Sequence, residues 1–216
     1  MTNLLIVRHA ESDFNCQNRI QGHLDSCLTP KGLRQARQLG KRLKNFSIDK
    51  IYSSDLGRAY STTLEIIRHR RVKVVRDPLL REIHLGAWEG MTPEEVDNLY
   101  DKGYQRWLKK PSACIIPKGE RIGAFRKRIS GRVRQIARAN RGKTVLIVTH
   151  GGAITALLAD WLRADFDAIL MNLQIDNTSL TFVHETEKST KLWIINDTDH
   201  LTRREKNVPA FFDRRS

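Results

Sequence analysis

The chain has 216 residues, of which 40% are hydrophobic and 7% aromatic, a composition that favours a folded protein over a disordered one. That length accommodates one domain, or one core with a small cap. No apolar run approaches the about 18–20 residues needed to cross a bilayer, and no signal-peptide pattern opens the chain. We therefore expect a cytoplasmic protein with no membrane partner.

The charge and the cysteine content indicate which partners and which structural sites to expect. The 38 Lys and Arg against 24 Asp and Glu give a net charge of +14, which favours anionic partners such as phosphorylated metabolites, nucleic acid or acidic lipid headgroups. A solvated cationic surface without any partner would explain the same charge. Cys16, Cys27 and Cys114 are too scattered for a disulfide framework or a zinc site, so we expect free thiols.

The first half of the chain alternates predicted strands and helices. The continuous apolar run at residues 3–7 is typical of a parallel strand buried on both faces. Thr29 and Pro30 predict the N-cap and the first residue of a helix whose apolar positions continue to Leu43. The remaining elements predicted in this half are strands at 51–53 and 72–75 and a helix over 57–68.

The second half adds helices and a hairpin. Thr92-Pro93 with Glu95 predicts a helix opened by a capping box, and residues 109–120 predict a loop. A long basic helix over 120–139, a buried strand at 145–148 and a hairpin of strands at 179–184 and 191–196 follow. This alternation predicts an α/β fold, a three-layer α/β/α sandwich with a mostly parallel, doubly wound sheet and a small helical cap.

Polar side chains collect where the predicted parallel strands end. Arg8 and His9 follow the first strand, and His150 follows the strand at 145–148. A third strand leads to Arg58. Ligands of open α/β sheets bind beyond the carboxyl ends of the strands, so these side chains meet if the three strands are neighbours. Two arginines and two histidines around one point suit a phosphoryl group, because guanidinium forks match its oxygens.

Four blocks in order give this pattern a family resemblance. They are Arg8–Asn15 with Gln21-Gly22 and Leu28–Gly32, then Ser54–Ala59 with Thr62, then Leu80–Gly90, then Val148–Gly152. Together they resemble the histidine phosphatase superfamily, also called phosphoglycerate-mutase-like. The match covers most of the chain, and it departs from the family pattern at Ala10, where a glycine is usual.

The resemblance implies a mechanism and a set of site residues. His9 would attack phosphorus and form a phosphohistidine, and Glu82 would serve as general acid and then as general base. Neither a metal nor another cofactor is implied. The side chains that would hold the phosphoryl oxygens are Arg8, Arg58 and His150. The further contacts to phosphate or substrate would come from Asn15, Gln21, Gly22 and Gly151.

The block after Glu82 separates phosphatases from mutases. Mutases of this type carry Arg-His-Tyr-Gly there, whereas this chain has Ile83-His84-Leu85-Gly86. The arginine that would grip the other end of a phosphoglycerate is therefore absent from that position. The block resembles the branch of broad-specificity, phosphoserine and α-ribazole phosphatases, and it favours hydrolysis of small phosphorylated substrates. The alternative is a 2,3-bisphosphoglycerate-dependent phosphoglycerate mutase.

The resemblance also divides the chain. We expect a histidine phosphatase domain over residues 1–200, a cap-like insertion at 91–120 that covers the pocket, and a basic tail at 201–216. Tyr100, Tyr104 and Trp107 would line an apolar leaving-group site or form the inner face of a cap helix. The sequence leaves a homodimer open.

A minor alternative is a nucleic-acid-binding protein that uses the basic surface. Its candidate residues on the long helix are Arg126, Lys127, Arg128, Arg132, Arg134 and Arg138. A second cluster comprises Arg68, Arg70, Arg71 and Lys73. The sequence shows no aromatic stacking platform and no nucleic-acid-binding module beside these cations, which speaks against this alternative.

Overall fold

The computed structural model describes residues 1–202 and 205, which form one mixed sheet and eight α-helices. The strands are β1 (Thr2–Arg8), β2 (Lys50–Ser53), β3 (Val74–Arg76), β4 (Thr144–Thr149), β5 (Leu180–Glu185) and β6 (Thr190–Asp197). The helices are α1 (Asp13–Cys16), α2 (Pro30–Arg42), α3 (Gly57–Ile67), α4 (Pro93–Leu99), α5 (Gly103–Lys109), α6 (Ile122–Ala139), α7 (Gly151–Leu162) and α8 (Phe166–Asn172).

The strand order explains why the predicted site residues meet. The sheet runs β3-β2-β4-β1-β5-β6, and its first four strands are parallel to one another. β5 and β6 form the predicted hairpin, and β5 joins the sheet antiparallel to β1. Because β2, β4 and β1 are adjacent, the residues that follow their carboxyl ends lie at one edge of the sheet.

The two faces of β1 explain its unbroken apolar sequence. Leu4 and Ile6 pack in a core with α6, α7 and α8, whereas Leu5 and Val7 pack in a second core with α2 and α3. Successive strand residues point to opposite faces, so a strand covered on both sides needs an apolar residue at every position. The predicted three-layer α/β/α sandwich with a mostly parallel sheet is confirmed.

The predicted cap has a small core of its own. Residues 91–120 contain α4, α5 and a 3-10 turn, and Trp88, Val96 and Ile116 form a separate buried cluster. The predicted capping box is present, since the Glu95 backbone N–H donates to Thr92 Oγ1 (3.2 Å) and Glu95 Oε2 accepts from the Thr92 N–H (2.8 Å).

The region after residue 200 is only partly described. The Glu205 side chain is nearly buried, and its Oε1 lies 3.8 Å from Arg34 Nε on α2. The predicted basic tail at 201–216 otherwise lies outside the described residues, and the division of the chain at residue 200 stays a prediction. Among residues 1–202 and 205, no helix is both long enough and apolar enough to span a membrane.

Candidate active site

A cavity of about 410 Å³ opens at the carboxyl edge of the sheet. Seven of the nine predicted site residues line it: Arg8, His9, Gln21, Gly22, Arg58, Glu82 and Gly151. Asn15 and His150 are not in its lining. The cavity extends from the strand ends to the cap, so it has a cationic end beside the sheet and a second end beside α5 and α8.

His9 directly follows β1 and is only 3% exposed. Its Nδ1 lies 2.8 Å from the Ala10 carbonyl oxygen. Because a carbonyl oxygen can only accept, Nδ1 carries the hydrogen and Nε2 keeps a free lone pair. Burial holds the pKa of His9 well below 6.5, and the charges of Arg58 and Arg8 lower it further. His9 is therefore a neutral imidazole with a nucleophilic Nε2.

The backbone around His9 is fixed from several sides. The His9 N–H donates to the Thr149 carbonyl (2.9 Å), and the Ala10 N–H donates to Thr62 Oγ1 (2.9 Å). Asn177 Nδ2 donates to the His9 carbonyl (2.9 Å). Thr178 next to it has a φ of 56°, which a β-branched residue rarely adopts. The Asn177 contact was not predicted, because it joins residues far apart in sequence.

Arg58 lies at the start of α3 and is 1% exposed. Its Nη1 donates to the Leu24 carbonyl (2.7 Å) and its Nη2 to the Gly22 carbonyl (2.8 Å). Burial lowers the pKa of Arg58 to about 10, so the guanidinium stays charged at neutral pH. Arg8 is anchored in a similar way, since its Nη1 donates to the Ile175 carbonyl.

Three buried nitrogens of this site have no hydrogen-bond partner among the described residues: Arg8 Nε, Arg58 Nε and His150 Nδ1. Buried polar atoms are normally satisfied, and exceptions concentrate at functional sites. Two of the three are guanidinium N–H donors beside a neutral histidine. A phosphoryl group would supply the oxygen acceptors that these donors lack.

His150 is fully buried beside His9. Its ring centroid lies 5.2 Å from that of His9, and its Nε2 lies 2.8 Å from Ser54 Oγ. Burial lowers the pKa of His150 well below 6.5, and Arg58 and His9 add to that effect. Both histidines are thus neutral, and the positive charge of the site comes from the two arginines.

Glu82 is held at the N-terminus of α7. Its Oε2 accepts from the Gly152 N–H (2.9 Å), and its Oε1 accepts from the Ile83 N–H (3.0 Å). A β-carbon at position 152 would lie 2.5 Å from Glu82 Oε1, inside any normal contact distance. The second glycine of the Gly151-Gly152 pair therefore makes room for the Glu82 carboxylate.

Of the remaining predicted contacts, Gln21 and Gly22 lie in one loop and Asn15 lies in α1. Gln21 Oε1 accepts from Ser26 Oγ (2.9 Å) and Ser12 Oγ (3.1 Å), and Gly22 supplies a carbonyl to Arg58. Asn15 lies apart from the cavity, where its Oδ1 accepts from the Ser12 N–H (3.1 Å) and caps α1. A direct contact of Asn15 with substrate stays a prediction.

Glu89 organises the same loop and was not singled out in the sequence. Its Oε1 accepts from the backbone N–H groups of His23 and Leu85, each at 2.8 Å. A β-carbon at Gly22 would lie 1.9 Å from that oxygen. Glu89 thus ties the loop that carries the arginine-binding carbonyls to the segment after Glu82. The only sequence signal for it was its place in the third family block.

The end of the cavity away from Arg8 and Arg58 is largely apolar. Its walls include Leu85, Trp88, Tyr104, Trp107, Leu170 and Leu173. Arg19 and Gln174 are polar exceptions. Tyr104 and Trp107 also pack against the cap core, so both interpretations hold for these two residues. Tyr100 packs against the cap core but does not line the cavity.

The basic residues of α6 are mostly engaged within the fold. Arg126 Nη2 lies 2.7 Å from Asp160 Oδ1, Arg128 Nη2 lies 2.7 Å from Glu120 Oε2, and Arg132 Nε lies 2.5 Å from Asp77 Oδ2. Arg70 donates to backbone carbonyls that include that of Phe46. Much of the predicted nucleic-acid surface therefore has structural partners.

A sequence model of the histidine phosphatase superfamily (branch 1) matches residues 4–198. The chain belongs to this superfamily. It is 33% identical to phosphoserine phosphatase 1 of Hydrogenobacter thermophilus over 93% of this chain and 95% of that protein. It is 32% identical to a metal-independent phosphoserine phosphatase of Arabidopsis thaliana, over 94% and 84% of the two chains. Other relatives are named phosphoglycerate mutase-like protein 4 and probable phosphoglycerate mutase GpmB, so family membership alone does not separate hydrolysis from isomerisation.

A solved structure, that of Bacillus stearothermophilus YhfR, superposes with a TM-score of 0.89. It is 33% identical in sequence, and the match covers 93% of this chain and 99% of YhfR. The similarity therefore extends over the sheet, both helical layers and the cap.

Proposed function

We propose that the chain is a metal-independent phosphomonoester phosphatase that acts through a phosphohistidine on small phosphorylated metabolites. One observation carries the proposal. A neutral histidine with a free Nε2 lies beside two buried guanidinium groups whose Nε donors have no acceptor among the described residues. This arrangement suits a tetrahedral dianion placed for attack at phosphorus.

In the first step, His9 Nε2 attacks phosphorus, so the N–P bond forms while the bond from phosphorus to the ester oxygen breaks. Arg8, Arg58 and His150 bind the non-bridging oxygens and stabilise the charge that develops on them. The Glu82 carboxyl group donates its proton to the departing oxygen, and the product alcohol leaves.

In the second step, water replaces the alcohol. Glu82, now a carboxylate, takes a proton from that water as its oxygen attacks phosphorus. The O–P bond forms, the N–P bond breaks, and neutral His9 is regenerated with release of phosphate. The same carboxyl oxygens serve both steps, and the Gly152 N–H keeps them in place.

The charge for this chemistry is supplied by the chain itself. Arg8 and Arg58 bring two positive charges to the phosphoryl end of the cavity. Within residues 1–202 and 205, no three His, Cys, Asp or Glu side chains group in a way that could hold a metal ion. The Arabidopsis relative is named a metal-independent phosphoserine phosphatase, which supports the proposal that this chain acts without a metal ion.

The far end of the cavity supports hydrolysis of esters with an apolar or aromatic alcohol. Ile83 and Leu85 line the cavity in the block where the related mutases carry an arginine. Among the described residues, Glu82 is the only carboxylate that lines the cavity. An ammonium group of the substrate would therefore find no second carboxylate there to pair with. We therefore expect aryl phosphates to be better substrates than phosphoserine.

The test is phosphate release from aryl phosphates, phosphoserine and α-ribazole phosphate in a chelating buffer. 3-Phosphoglycerate is assayed alongside, with and without 2,3-bisphosphoglycerate. His9→Ala is expected to lose turnover and phosphoenzyme formation, whereas His69→Ala, which removes an exposed histidine, keeps both. Full activity of His9→Ala would refute the mechanism, and isomerisation of 3-phosphoglycerate without phosphate release would make the protein a mutase.

We also propose a cytoplasmic location, supported by the free thiols of Cys16 and Cys27, both exposed, which suit a reducing compartment. A homodimer stays a prediction.

A further inference from the structure

A second cavity lies at the opposite edge of the sheet from His9. It has a volume of about 580 Å³ and is larger than the catalytic cavity. Its walls come from the start of β1, the C-terminal ends of α6 and α7, and the turn that joins β5 to β6. We call it the basic cleft, after its cationic residues Arg134, Arg138, Arg141, Arg163 and Lys188.

The basic cleft carries more cations than its own carboxylates neutralise. The acidic residues in its lining are Asp160, Glu185 and Glu187. Asp160 already lies 2.7 Å from Arg126, outside the cleft, and its other oxygen is 3.9 Å from Arg134 Nη2. Arg141 pairs with Glu187, but both side chains are more than 60% exposed, so solvent screens that pair.

Three cations of the cleft have no ion-pair partner, and the one cleft carboxylate among the described residues that is also outside an ion pair is Glu185. Arg138, Arg163 and Lys188 form no ion pair within the part of the chain that the structure describes. They come from three different elements, α6, the end of α7 and the β5–β6 turn, and their side chains line one concavity. Like charges gathered in this way repel one another unless an anion lies between them.

The backbone of Arg163 has a conformation that residues other than glycine rarely adopt. It ends α7 with a φ of 54°, the left-handed conformation that favours glycine. The Ala164 N–H donates to the Ala159 carbonyl (2.9 Å), which is a regular helix ending that glycine would complete with less strain. A residue in a strained conformation is a reason to look for a role of its side chain.

We propose that the basic cleft is a second anion site that binds a compact oligophosphate, a chain of two or more linked phosphates. Arg138 and Arg163 supply planar guanidinium forks that bind phosphate oxygens in pairs, and Lys188 supplies a point charge. Inorganic oligophosphate and the phosphate chain of a nucleotide share this chemistry. Trp161 in the same wall is half-buried and offers a nucleotide an aromatic contact.

Calorimetric titration with tripolyphosphate and with ATP tests the site, in the full chain carrying His9→Ala so that neither ligand is hydrolysed. The cleft variant Arg138→Gln/Arg163→Gly is expected to bind tripolyphosphate at least tenfold more weakly at one site. The control Lys44→Gln/Lys127→Gln removes two exposed cations outside the cleft and is expected to bind as the parent does. Equal binding by the two ligands identifies the phosphate chain, and tighter ATP binding that Trp161→Leu removes identifies a nucleotide.

Thermal unfolding of Arg163→Gly supplies a second readout. Because glycine relieves the left-handed backbone and removes a like charge, we expect a Tm increase of about 2–4 °C without ligand. The rise in Tm that tripolyphosphate gives the parent should be smaller in Arg163→Gly, because only binding at the catalytic cavity is unchanged. A lower Tm with ligand binding intact would show a purely structural arginine and overturn the proposal. So would absent binding to the parent, equal weakening in the control, or binding of long RNA but not of tripolyphosphate.

Discussion

The close approach of Glu82 to Gly152 allows the acid–base role of Glu82 to be tested without substituting Glu82 itself. In Gly152→Ala, the new β-carbon would lie 2.5 Å from Glu82 Oε1, 3.1 Å from Cδ and 3.3 Å from Oε2. A normal contact requires at least about 3.4 Å, so the carboxylate must move by roughly 1 Å. A catalytic group misplaced by that distance loses about 100-fold in rate. This loss lies within the rate enhancement of about 10²–10⁴-fold that general acid–base catalysis contributes.

The assay is kcat/KM for two substrate classes. An alkyl phosphate needs its leaving oxygen protonated, so we expect a loss of about 100-fold with Gly152→Ala. An aryl phosphate such as p-nitrophenyl phosphate releases a stable phenolate and should lose much less. Gly151→Ala is the matched control, since its β-carbon would lie 3.5 Å or more from Arg8, an ordinary contact. Undiminished alkyl phosphate hydrolysis by Gly152→Ala, or equal losses for both glycines, would refute the reasoning.

Three further predictions concern stability. Burial lowers the pKa of His9 below 6.5, so the unfolded chain binds more protons than the folded one as the pH falls below 7, and stability should drop between pH 7 and pH 5.5. Urea unfolding at both pH values should show a smaller drop for His9→Gln; an equal drop would contradict the buried neutral histidine. Gly131→Ala, whose β-carbon meets open space inside α6, should raise Tm by about 2–4 °C. Gly40→Ala should lower Tm, because its β-carbon would lie 2.6 Å from the Ile66 carbonyl oxygen, and a higher Tm would contradict this packing.

The elements that follow local rules were predictable from the sequence. The run at 3–7 became β1, Thr29 caps α2 by accepting from the Gly32 N–H (2.9 Å), and the hairpin became β5 and β6. In each case the signal lies within a few neighbouring residues, as an apolar period or a capping side chain.

Features that depend on distant parts of the chain were not predictable in detail. The strand predicted at 72–75 is β3 at Val74–Arg76, because its register is set by pairing with β2. α5 was not predicted as a separate helix, since Asp101 and Lys102 adopt positive φ values without glycine.

The candidate site also contains residues that the sequence predicted and contacts that only the structure shows. His9, Arg58, Glu82 and His150 could be named because they stand in ordered family blocks. The carbonyls that hold Arg58 come from Gly22 and Leu24, and any residue type supplies a carbonyl. Such backbone contacts leave no signature in side-chain identity, so only the folded arrangement reveals them.

The central place of β1 in the sheet has a consequence for biosynthesis. β1 is made first, yet its partner β4 is about 140 residues away, as in the contact between Asn3 and Thr144, 141 positions apart. At about 5–20 residues per second, a ribosome needs on the order of ten seconds to supply that partner. Until then the apolar segment Leu4–Val7 lacks its partner strand β4, and its apolar surface is exposed. His9 and His150 cannot approach each other before this delay ends, so the nascent enzyme stays inactive until most of the chain has been translated.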